Sequence, residues 1–455
     1  MTENLFGSPV LTDGRMAEFA LAATPTGRVE LATRGLPSPG AVPSGLFHNS
    51  YESYRFGQAP WKTVQWRGYE LAGSQQAVGR PALVAVDQNF QIGFESPVSG
   101  VPGLRLSRAR LSASNMTNFI NGPGVRNTAV PINPIVLASG LGITDYIYFG
   151  DDNRLHHDRW HHLGAGQTYT PAIPVGVTLA GQLAADSYGN GSIELAALDF
   201  SGRIYHWRFA YGNWSAPVVV TSGMVSSPIL LHVGAAHLEL LAVDLDHRVC
   251  RWRFNGTSWS GKISVPSTFR VKETLFKQAS ASSWGDGTVD LAVVSLDTKE
   301  LFHRRIGPDD EVCTMPLVCP APREFNKIGG IVLEVPVLTA FSPEKMNILT
   351  MQGLSWFSTW SYMAPLQTPT FPPRRDIVLR WTTFQDTGGK EMVIGATANS
   401  GARNYAAVGI DFDGRLLINR YSDGRWLGFE PVGGQAAEMV LPSPVILPTI
   451  AAHGG

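Results

Sequence analysis

The run LHHDRWHH at 155–162 concentrates imidazole and carboxylate groups, which are common ligands of transition metals. Alternation along a β-strand would place His156 and His157 on opposite faces, so the two rings could not bind one ion. His157 also occupies the same position of a repeated unit as His206. We therefore interpret the run as a strand end with exposed histidines, and we expect no bound metal.

Three short acidic segments resemble fragments of calcium loops: DFSGR at 199–203, DLDHR at 244–248 and DFDGR at 411–415. A calcium loop supplies several oxygen ligands within about a dozen residues and ends in a bidentate carboxylate. These segments instead lead directly into apolar runs typical of strands. Turn formation, which favours Asp and Gly, explains them better than calcium binding does.

Signals for hydrolysis are missing from the sequence. A glycosidase needs two carboxylates at one pocket, and a propeller sialidase would add an arginine cluster and Ser-x-Asp-x-Gly-x-x-Trp boxes, none of which is intact here. No G-x-S-x-G elbow occurs, and no cysteine has a catalytic local context. Acid–base hydrolysis is therefore disfavoured.

The elements that must position any site are repeated. The segments 191–217 and 236–262 each contain an apolar run, an Asp-containing turn, a second run with aromatic residues and then a tryptophan. In three copies an arginine after the turn precedes a tryptophan by eleven residues. The pairs are Arg203 and Trp214, Arg248 and Trp259, and Arg415 and Trp426. A shared register of this kind indicates one structural unit used several times.

Weaker copies bring the number of candidate units to eight, starting near residues 16, 81, 144, 191, 236, 279, 346 and 405. Each predicts three or four short antiparallel strands, and no segment shows helical periodicity. We therefore predict an all-β protein, a β-propeller of seven or eight four-stranded blades in a single domain, 1–455. The intervals 35–80, 99–131 and 304–333 are interpreted as inserted loops. The segment LPSPVIL at 441–447 is expected to pair with the N-terminal blade and close the ring.

Composition limits the partners and leaves the compartment open. Lys and Arg number 36 against 37 Asp and Glu, which gives no basic field for nucleic acid. No apolar run approaches the ~20 residues that span a bilayer, so we expect a soluble chain without nucleic-acid or membrane partners. Cys313 and Cys319 could close a loop, and sequons would be glycosylated in an oxidising compartment. These sequons begin at Asn115, Asn190, Asn213 and Asn255. A cytosolic chain would carry the same cysteines as small hydrophobic residues, so secretion with a removed signal stays open.

The segments SWGDGTVDLAVVSLDTKELFHRR at 283–305 and DFDGRLLINRYSDGRWLGFEPVGG at 411–434 resemble the repeats of fucose-binding propeller lectins. This resemblance implies a propeller with sugar sites repeated between blades. The position three residues after the turn arginine does not hold one residue type. It is occupied by His157, His206, Arg251 and Ile418. A site copied around the ring would need the same donor each time, which favours one asymmetric pocket.

The long interblade segments, aromatic content and irregular repeats also resemble the fungal hetero-Diels–Alderases of tropolonic sesquiterpene biosynthesis. This resemblance implies a pericyclase that joins a quinone methide to a terpene alkene in one apolar pocket, with no metal and no redox cofactor. Its partners would be small apolar organic substrates. A lectin would bind carbohydrate instead, and both hypotheses stay open.

A cycloaddition requires two apolar reactants held face to face, which contributes up to about 7–11 kcal/mol, and a donor to a carbonyl oxygen. We expect innermost strands and their loops to supply the walls. The candidate substrate-binding residues are Trp284, Trp356, Trp360, Trp381, His157 and Trp160, and the candidate donors are Arg380 and Lys277. The alternative is that most of these tryptophans pack between blades.

Overall fold

In a computed structural model, the chain is described over its strands between residues 16 and 446 and over most of the turns within 134–307. Side chains are described mainly in 134–307 and in parts of 20–48 and 82–94. The longest segments outside the description are 1–15, 36–44, 52–69, 120–133, 308–325, 364–379, 436–444 and 447–455. The described residues contain strands and turns but no helix.

The first half of the chain forms four antiparallel sheets, numbered 1 to 4 along the sequence. Sheet 1 contains β1 (Met16–Ala23), β2 (Val29–Gly35), β3 (Gly45–Tyr51) and β4 (Glu70–Gln76). Sheet 2 contains β5 (Val78–Val86), β6 (Asn89–Pro97), β7 (Leu104–Leu111) and β8 (Met116–Phe119). Sheet 3 contains β9 (Ile135–Gly140), β10 (Ile143–Phe149), β11 (Leu155–His161) and β12 (Gly166–Tyr169). Sheet 4 contains β13 (Leu179–Asp186), β14 (Ile193–Asp199), β15 (Ile204–Ala210), β16 (Asn213–Trp214) and β17 (Val218–Thr221).

The second half forms sheets 5 to 8. Sheet 5 contains β18 (Ile229–Gly234), β19 (His237–Val243), β20 (Val249–Phe254) and β21 (Ile263–Ser264). Sheet 6 contains β22 (Ser280–Ser283), β23 (Val289–Val294), β24 (Glu300–Ile306) and β25 (Asn326–Ile331). Sheet 7 contains β26 (Val337–Ser342), β27 (Lys345–Gln352), β28 (Trp356–Met363) and β29 (Arg380–Asp386). Sheet 8 contains β30 (Met392–Asn399), β31 (Tyr405–Asp411), β32 (Arg415–Ser422), β33 (Arg425–Gln435) and β34 (Val445–Ile446).

The first strands of consecutive sheets contact one another in a closed circuit. β1 lies against β5, each later first strand lies against the next, and β30 returns to β1. Each of the eight predicted units falls in a separate sheet. The prediction of an all-β chain built from antiparallel repeats is confirmed.

Ring closure differs from the prediction. The C-terminal strand β34 pairs in parallel with β30, with Ile394 opposite Val445 and Gly395 opposite Ile446, so it stays in the last sheet. The expectation that it joins the N-terminal blade is wrong. The physical reason is that β30 is a first strand with β31 on one side, which leaves its other edge open to another strand.

The three intervals interpreted as inserted loops also contain strands. β3 and β4 lie within 35–80, β7 and β8 lie within 99–131, and β25 lies within 304–333. These are third and fourth strands of their sheets. The prediction of loops was therefore wrong for these parts of the intervals.

The core lies between neighbouring sheets. Second strands are buried on both faces, as in Ile193–Asp199 of β14 and Val289–Val294 of β23, because each is covered by the sheets before and after it. Trp207 and Trp252, from the third strands of sheets 4 and 5, are among the largest fully buried side chains. Burial of apolar area at these contacts, at about 25 cal/mol per Å², holds the sheets together.

Acidic turns join second to third strands, as predicted. Asp199 accepts the backbone N–H groups of Ser201 and Arg203, and Asp244 accepts those of Asp246 and Arg248. These carboxylates therefore complete the turn, and the interpretation of the acidic segments as turns is confirmed for these two copies.

Backbone hydrogen bonds connect each of these turns to the next sheet. Met224 N–H donates to Gly202 O, Val225 N–H donates to Val243 O, and Leu245 N–H donates to Gly223 O. The following sheets repeat the pattern. There Val271 donates to His247 O, Lys272 to Val294 O, and Leu296 to Arg270 O. We refer to these six hydrogen bonds as the inter-sheet lacing.

The described residues include no helix long and apolar enough to cross a bilayer.

Candidate functional site

His157 lies inside the protein and not at an exposed strand end. Its side chain is 0% exposed, and Nε2 lies 2.6 Å from Oδ1 of Asp145 on β10. Alternation along β11 is as predicted, because His156 and His157 stand opposite Tyr148 and Ile147, and the His156 ring stacks on Tyr148. The expectation of exposed histidines was wrong for His157, since a buried carboxylate on the neighbouring strand provides its partner.

This arrangement recurs in other sheets. A carboxylate on the second strand faces an arginine directly opposite on the third strand, and a histidine two residues before that arginine shares its face. The sets are Asp145, His157 and Arg159 in sheet 3, Glu194, His206 and Arg208 in sheet 4, and Asp290, His303 and Arg305 in sheet 6. Sheet 5 has Glu239 with Arg251 and Arg253, and sheet 1 has Glu30 with His48.

Aromatic rings of the next sheet cover two of these histidines, His157 and His206. The His157 ring meets Phe209 edge-on with centroids 4.6 Å apart, and Trp214 lies 5.4 Å away. His206 meets Phe254 and Trp259 at 5.3 and 5.1 Å, and the Trp259 indole N–H donates to its Nδ1 at 3.3 Å. The sets of sheets 3 and 4 therefore belong to junctions between two sheets, where Trp214 and Trp259 pack against the histidine rings.

Asp145, at the junction between sheets 3 and 4, accepts hydrogen bonds at both carboxylate oxygens. Oδ1 of Asp145 accepts from His157 and from Arg159 Nε at 2.7 Å, and Oδ2 accepts from Arg159 Nη2 at 3.1 Å and from the Ser139 hydroxyl. Burial alone would raise the pKa of Asp145, but the hydrogen bonds from His157 and Arg159 outweigh burial and hold that pKa below its usual value. This carboxylate has no oxygen left for a ligand.

The junction between sheets 4 and 5, which we call the 4/5 junction, is different. It comprises Asp186, Tyr188, Glu194, Arg208 and His232. Among the described residues, four of these side chains have buried polar atoms without a hydrogen-bond partner. They are Tyr188 Oη, Glu194 Oε1, Arg208 Nε and both ring nitrogens of His232.

Ionic contacts at the 4/5 junction are close but poorly aligned. Arg208 Nε lies 3.0 Å from Glu194 Oε1, and His232 Nδ1 lies 3.3 Å from Asp186 Oδ2, yet neither contact has hydrogen-bond geometry. The Glu194 side chain is fully buried and that of His232 is 10% exposed. Buried polar groups without hydrogen bonds destabilise the folded state unless another molecule supplies the missing hydrogen bonds.

Tyr188 brings a phenol and an aromatic face to the 4/5 junction. Its ring contacts the His232 ring with centroids 3.5 Å apart, and it packs on the same apolar cluster as Trp259. Burial, with the nearby Glu194 charge, raises the pKa of Tyr188 well above its usual value, against a smaller lowering by Arg208. The phenol therefore stays protonated at neutral pH and can donate a hydrogen bond.

The predicted pocket residues of sheet 7 lie on outer strands. Trp356 and Trp360 are in β28, and Arg380 and Trp381 are in β29, the third and fourth strands of the sheet. The expectation that innermost strands carry them is wrong, because β26 is the strand that contacts neighbouring first strands. The segment beginning at Arg380 adds to β28 as the edge of the sheet.

The other predicted residues are dispersed. Trp160 lies on β11 of sheet 3 and is partly buried, four sheets away from β28 of sheet 7 along the chain. Trp284, Lys277, Cys313 and Cys319 lie outside the described residues, as do Asn115 and Asn190. Asn213 and Asn255 are exposed. The candidates on described strands therefore belong to two sheets, with His157 and Trp160 in sheet 3 and Trp356, Trp360, Arg380 and Trp381 in sheet 7.

No group of three or more His, Cys, Asp or Glu side chains that could hold a metal ion occurs among the described residues. In the run LHHDRWHH, His157 is directed to Asp145 and His156 to Tyr148, and His162 lies outside the description.

Sequence reasoning missed the second-strand carboxylates. The signal is visible once strands are aligned in pairs. A carboxylate begins the second strand in ITDY, SIEL, HLEL and TVDL, and the third strand carries HDR, HWR, RWR or HRR. When third strands are compared alone, His157, His206 and Arg251 look like an unconserved position of the repeat. Their shared feature is a carboxylate partner, and that partner lies on the second strand.

No family model matches the sequence, and no curated protein matches it. Among solved structures, the BP39L lectin from Burkholderia pseudomallei is similar with a TM-score of 0.51 and 16% identity, over 77% of this chain and 98% of that one. The fucose-specific lectin from Aleuria aurantia has a TM-score of 0.36 and 14% identity, over 63% of this chain and 91% of that one. The Aleuria aurantia lectin is described as a six-bladed β-propeller. The likeness to the BP39L lectin concerns the fold alone.

Proposed function

We propose that this chain is a carbohydrate-binding propeller of lectin type, with each of the eight sheets as one blade, residues 1–455 as one domain, and a sugar site at the 4/5 junction. The observation that carries the proposal is the convergence there of Tyr188, Glu194, Arg208 and His232, each with a polar atom that lacks a hydrogen-bond partner among the described residues.

The chemistry of these groups suits a polyol. Adjacent hydroxyls of a sugar each donate and accept, so they pair with a carboxylate acceptor, a guanidinium donor and a phenol that does both. Tyr188 and Trp259 also give the junction aromatic rings, which pack against the apolar C–H face of a sugar ring. A terpene would leave the same polar atoms unsatisfied.

One strong site per chain is expected from the described junctions. The corresponding carboxylate at the preceding junction, Asp145, already accepts hydrogen bonds at both oxygens, whereas Oε1 of Glu194 accepts none within the described residues. This difference favours the 4/5 junction over the junction between sheets 3 and 4 as the position of a sugar site.

The decisive test uses glycan-array screening, then calorimetry with methyl glycosides, methyl α-fucoside included, on wild type and Tyr188→Phe. Because the Tyr188 hydroxyl has no partner in the described structure, removing it should leave the melting temperature unchanged or raise it. Affinity should fall about three- to tenfold, the effect of one lost hydrogen bond. Arg208→Gln should weaken binding about ten- to hundredfold, since its hydrogen bond is charged.

The matched control is Arg203→Gln in the same strand pair. Arg203 also pairs with a carboxylate, Asp199, but lies at the other end of the third strand and is 46% exposed. The Arg203→Gln variant should bind the glycan with wild-type affinity. Binding that survives both junction variants would move the sugar site elsewhere.

The pericyclase alternative predicts that no glycan binds and that the chain accelerates a cycloaddition. If no glycan binds and the chain accelerates the cycloaddition of a quinone methide with a terpene alkene, the proposal fails. Replacement of Arg380 or Lys277, the donors expected under that alternative, would then be the experiment that assigns its site.

A further inference from the structure

The loop that carries Tyr188 is attached to the preceding sheet. This Tyr188 loop, described at Ser187, Tyr188, Gly189, Gly191 and Ser192, joins β13 to β14. Ser139 O of sheet 3 accepts hydrogen bonds from Gly191 N–H at 2.6 Å and from the Ser187 hydroxyl at 3.2 Å. The loop of sheet 4 is thus held by a carbonyl of sheet 3.

Arg159 adds a second attachment from sheet 3. Its Nη2 donates to Gly191 O at 2.6 Å, and the guanidinium lies 4.7 Å from the Phe209 ring centroid. The same Nη2 also donates to Oδ2 of Asp145 at 3.1 Å, Nε donates to Oδ1 at 2.7 Å, and the side chain is 12% exposed. A planar, fully donating group therefore spans from a buried carboxylate of one sheet to a loop carbonyl of the next.

Space around the loop is tight. A Cβ added at Gly140, in sheet 3, would lie 3.2 Å from Gly189 O and 3.4 Å from Gly191 N. Displacement of Gly189 would move Tyr188, which directly precedes it and contacts His232 of sheet 5. The position of Tyr188 therefore depends on sheet 3 as well as on the two sheets that form the 4/5 junction.

We infer that Arg159 is a positioning residue for the 4/5 junction, which acts through Gly191 and the Tyr188 loop and so couples two adjacent junctions. The inference rests on the proposed function for its binding readout. Its structural readout does not, because the loop can be observed without a ligand.

The principal variant is Arg159→Lys, with Arg305→Lys as the matched control. Arg305 pairs with Asp290 in sheet 6 through Nε at 2.9 Å and Nη2 at 2.8 Å, as Arg159 does with Asp145. Lysine keeps the charge but cannot hold a carboxylate and a carbonyl in one plane. Both variants should lose stability to a similar extent, whereas the effect on Tyr188 should belong to Arg159→Lys alone.

Two ligand-free measurements follow the loop. Hydrogen exchange should accelerate at amides 187–192 in Arg159→Lys and stay at the wild-type rate there in Arg305→Lys. With fluorotyrosine labelling, the resonance assigned by its loss in Tyr188→Phe should shift in Arg159→Lys. If both variants leave exchange and resonance unchanged, the inference is overturned.

Affinity supplies the third measurement. For the glycan selected on the array, Arg159→Lys should weaken binding about tenfold and Arg305→Lys should not. If no glycan binds at all, the proposed function fails while exchange and resonance still decide the positioning role. Should Arg159→Lys not fold, Gly140→Ala tests the same attachment by pressing on Gly189 and Gly191, and an unshifted Tyr188 resonance there would overturn it.

Discussion

Nε2 of His157 lies 2.6 Å from Oδ1 of Asp145, and both side chains are completely buried. The same contact joins His206 to Glu194 at 2.8 Å and His303 to Asp290 at 2.9 Å. Buried pairs of this kind are costly to break from one side, because the remaining group keeps its charge or dipole without compensation. These buried pairs should therefore contribute to the free energy of unfolding.

Asp290→Asn should lower the free energy of unfolding by about 3 kcal/mol, since it removes the charge that His303 and Arg305 share. Urea denaturation monitored by tryptophan fluorescence measures this change. The control is Asp297→Asn in the same sheet, whose ion pair with Arg270 is exposed, and its denaturation midpoint should match wild type. Equal effects of the two substitutions would contradict a structural role for the buried pair.

Acid should destabilise the protein through the same carboxylates. The pKa values of Asp145 and Asp290 are below the usual value, because their hydrogen bonds to His157 and His303, with those to the arginines, outweigh burial. A lowered pKa in the folded state gives stability that is fully present above the unfolded pKa of about 3.9 and is lost as pH falls through the folded value. Urea midpoints should therefore fall steeply below about pH 4, and less steeply in Asp290→Asn. Parallel curves for the two proteins would argue against this account.

Gly202→Ala should be destabilising because it breaks the inter-sheet lacing. Gly202 has φ of +77°, and an added Cβ would lie 2.9 Å from Met224 O. Gly212 has a similar φ of +83° but open space around its Cβ, so Gly212→Ala reports the backbone cost alone, about 1 kcal/mol. Thermal unfolding should show a larger loss for Gly202→Ala, by about 1–3 kcal/mol. A smaller loss at Gly202 than at Gly212 would show that the lacing tolerates displacement.

Cys250 should resist alkylation in the native protein. The side chain is fully buried, and burial together with the Asp244 carboxylate raises the thiol pKa to about 11. Iodoacetamide at pH 8 followed by peptide mass mapping should find Cys250 unmodified in buffer and modified in urea. Rapid modification in buffer would indicate local opening of sheet 5.

The sequence was sufficient to predict the repeat and its strands. The eleven-residue spacing from Arg203 to Trp214 and from Arg248 to Trp259 comes from a third strand, a turn and a short outer strand. Such local spacing can be read directly from the sequence. The turns at Asp199 and Asp244 could also be predicted from the sequence, because their hydrogen bonds span only two to four residues.

Relationships across strands and sheets were harder to predict. His157 and His206 were visible as members of a column, but their partners lie twelve residues earlier on another strand, and the aromatic cover comes from the next sheet. The 4/5 junction draws Tyr188 from one sheet and His232 from another, so no short motif contains it. The outer strand positions of Trp356 and Arg380 depend on pairing order, which the apolar pattern alone does not determine.

The circuit of first strands has a kinetic consequence. Each carboxylate–histidine pair closes a hairpin of a dozen or so residues, so a single sheet can form rapidly from local contacts. The contact between β1 and β30 instead joins strands near the two ends of the chain. The chain therefore loses the conformational entropy of closing this large loop in one late step. Refolding should therefore produce early strand formation and a slower phase that reports arrival of the last sheet against the first, during which the surfaces of β1 and β30 that contact each other in the folded protein stay open to other chains.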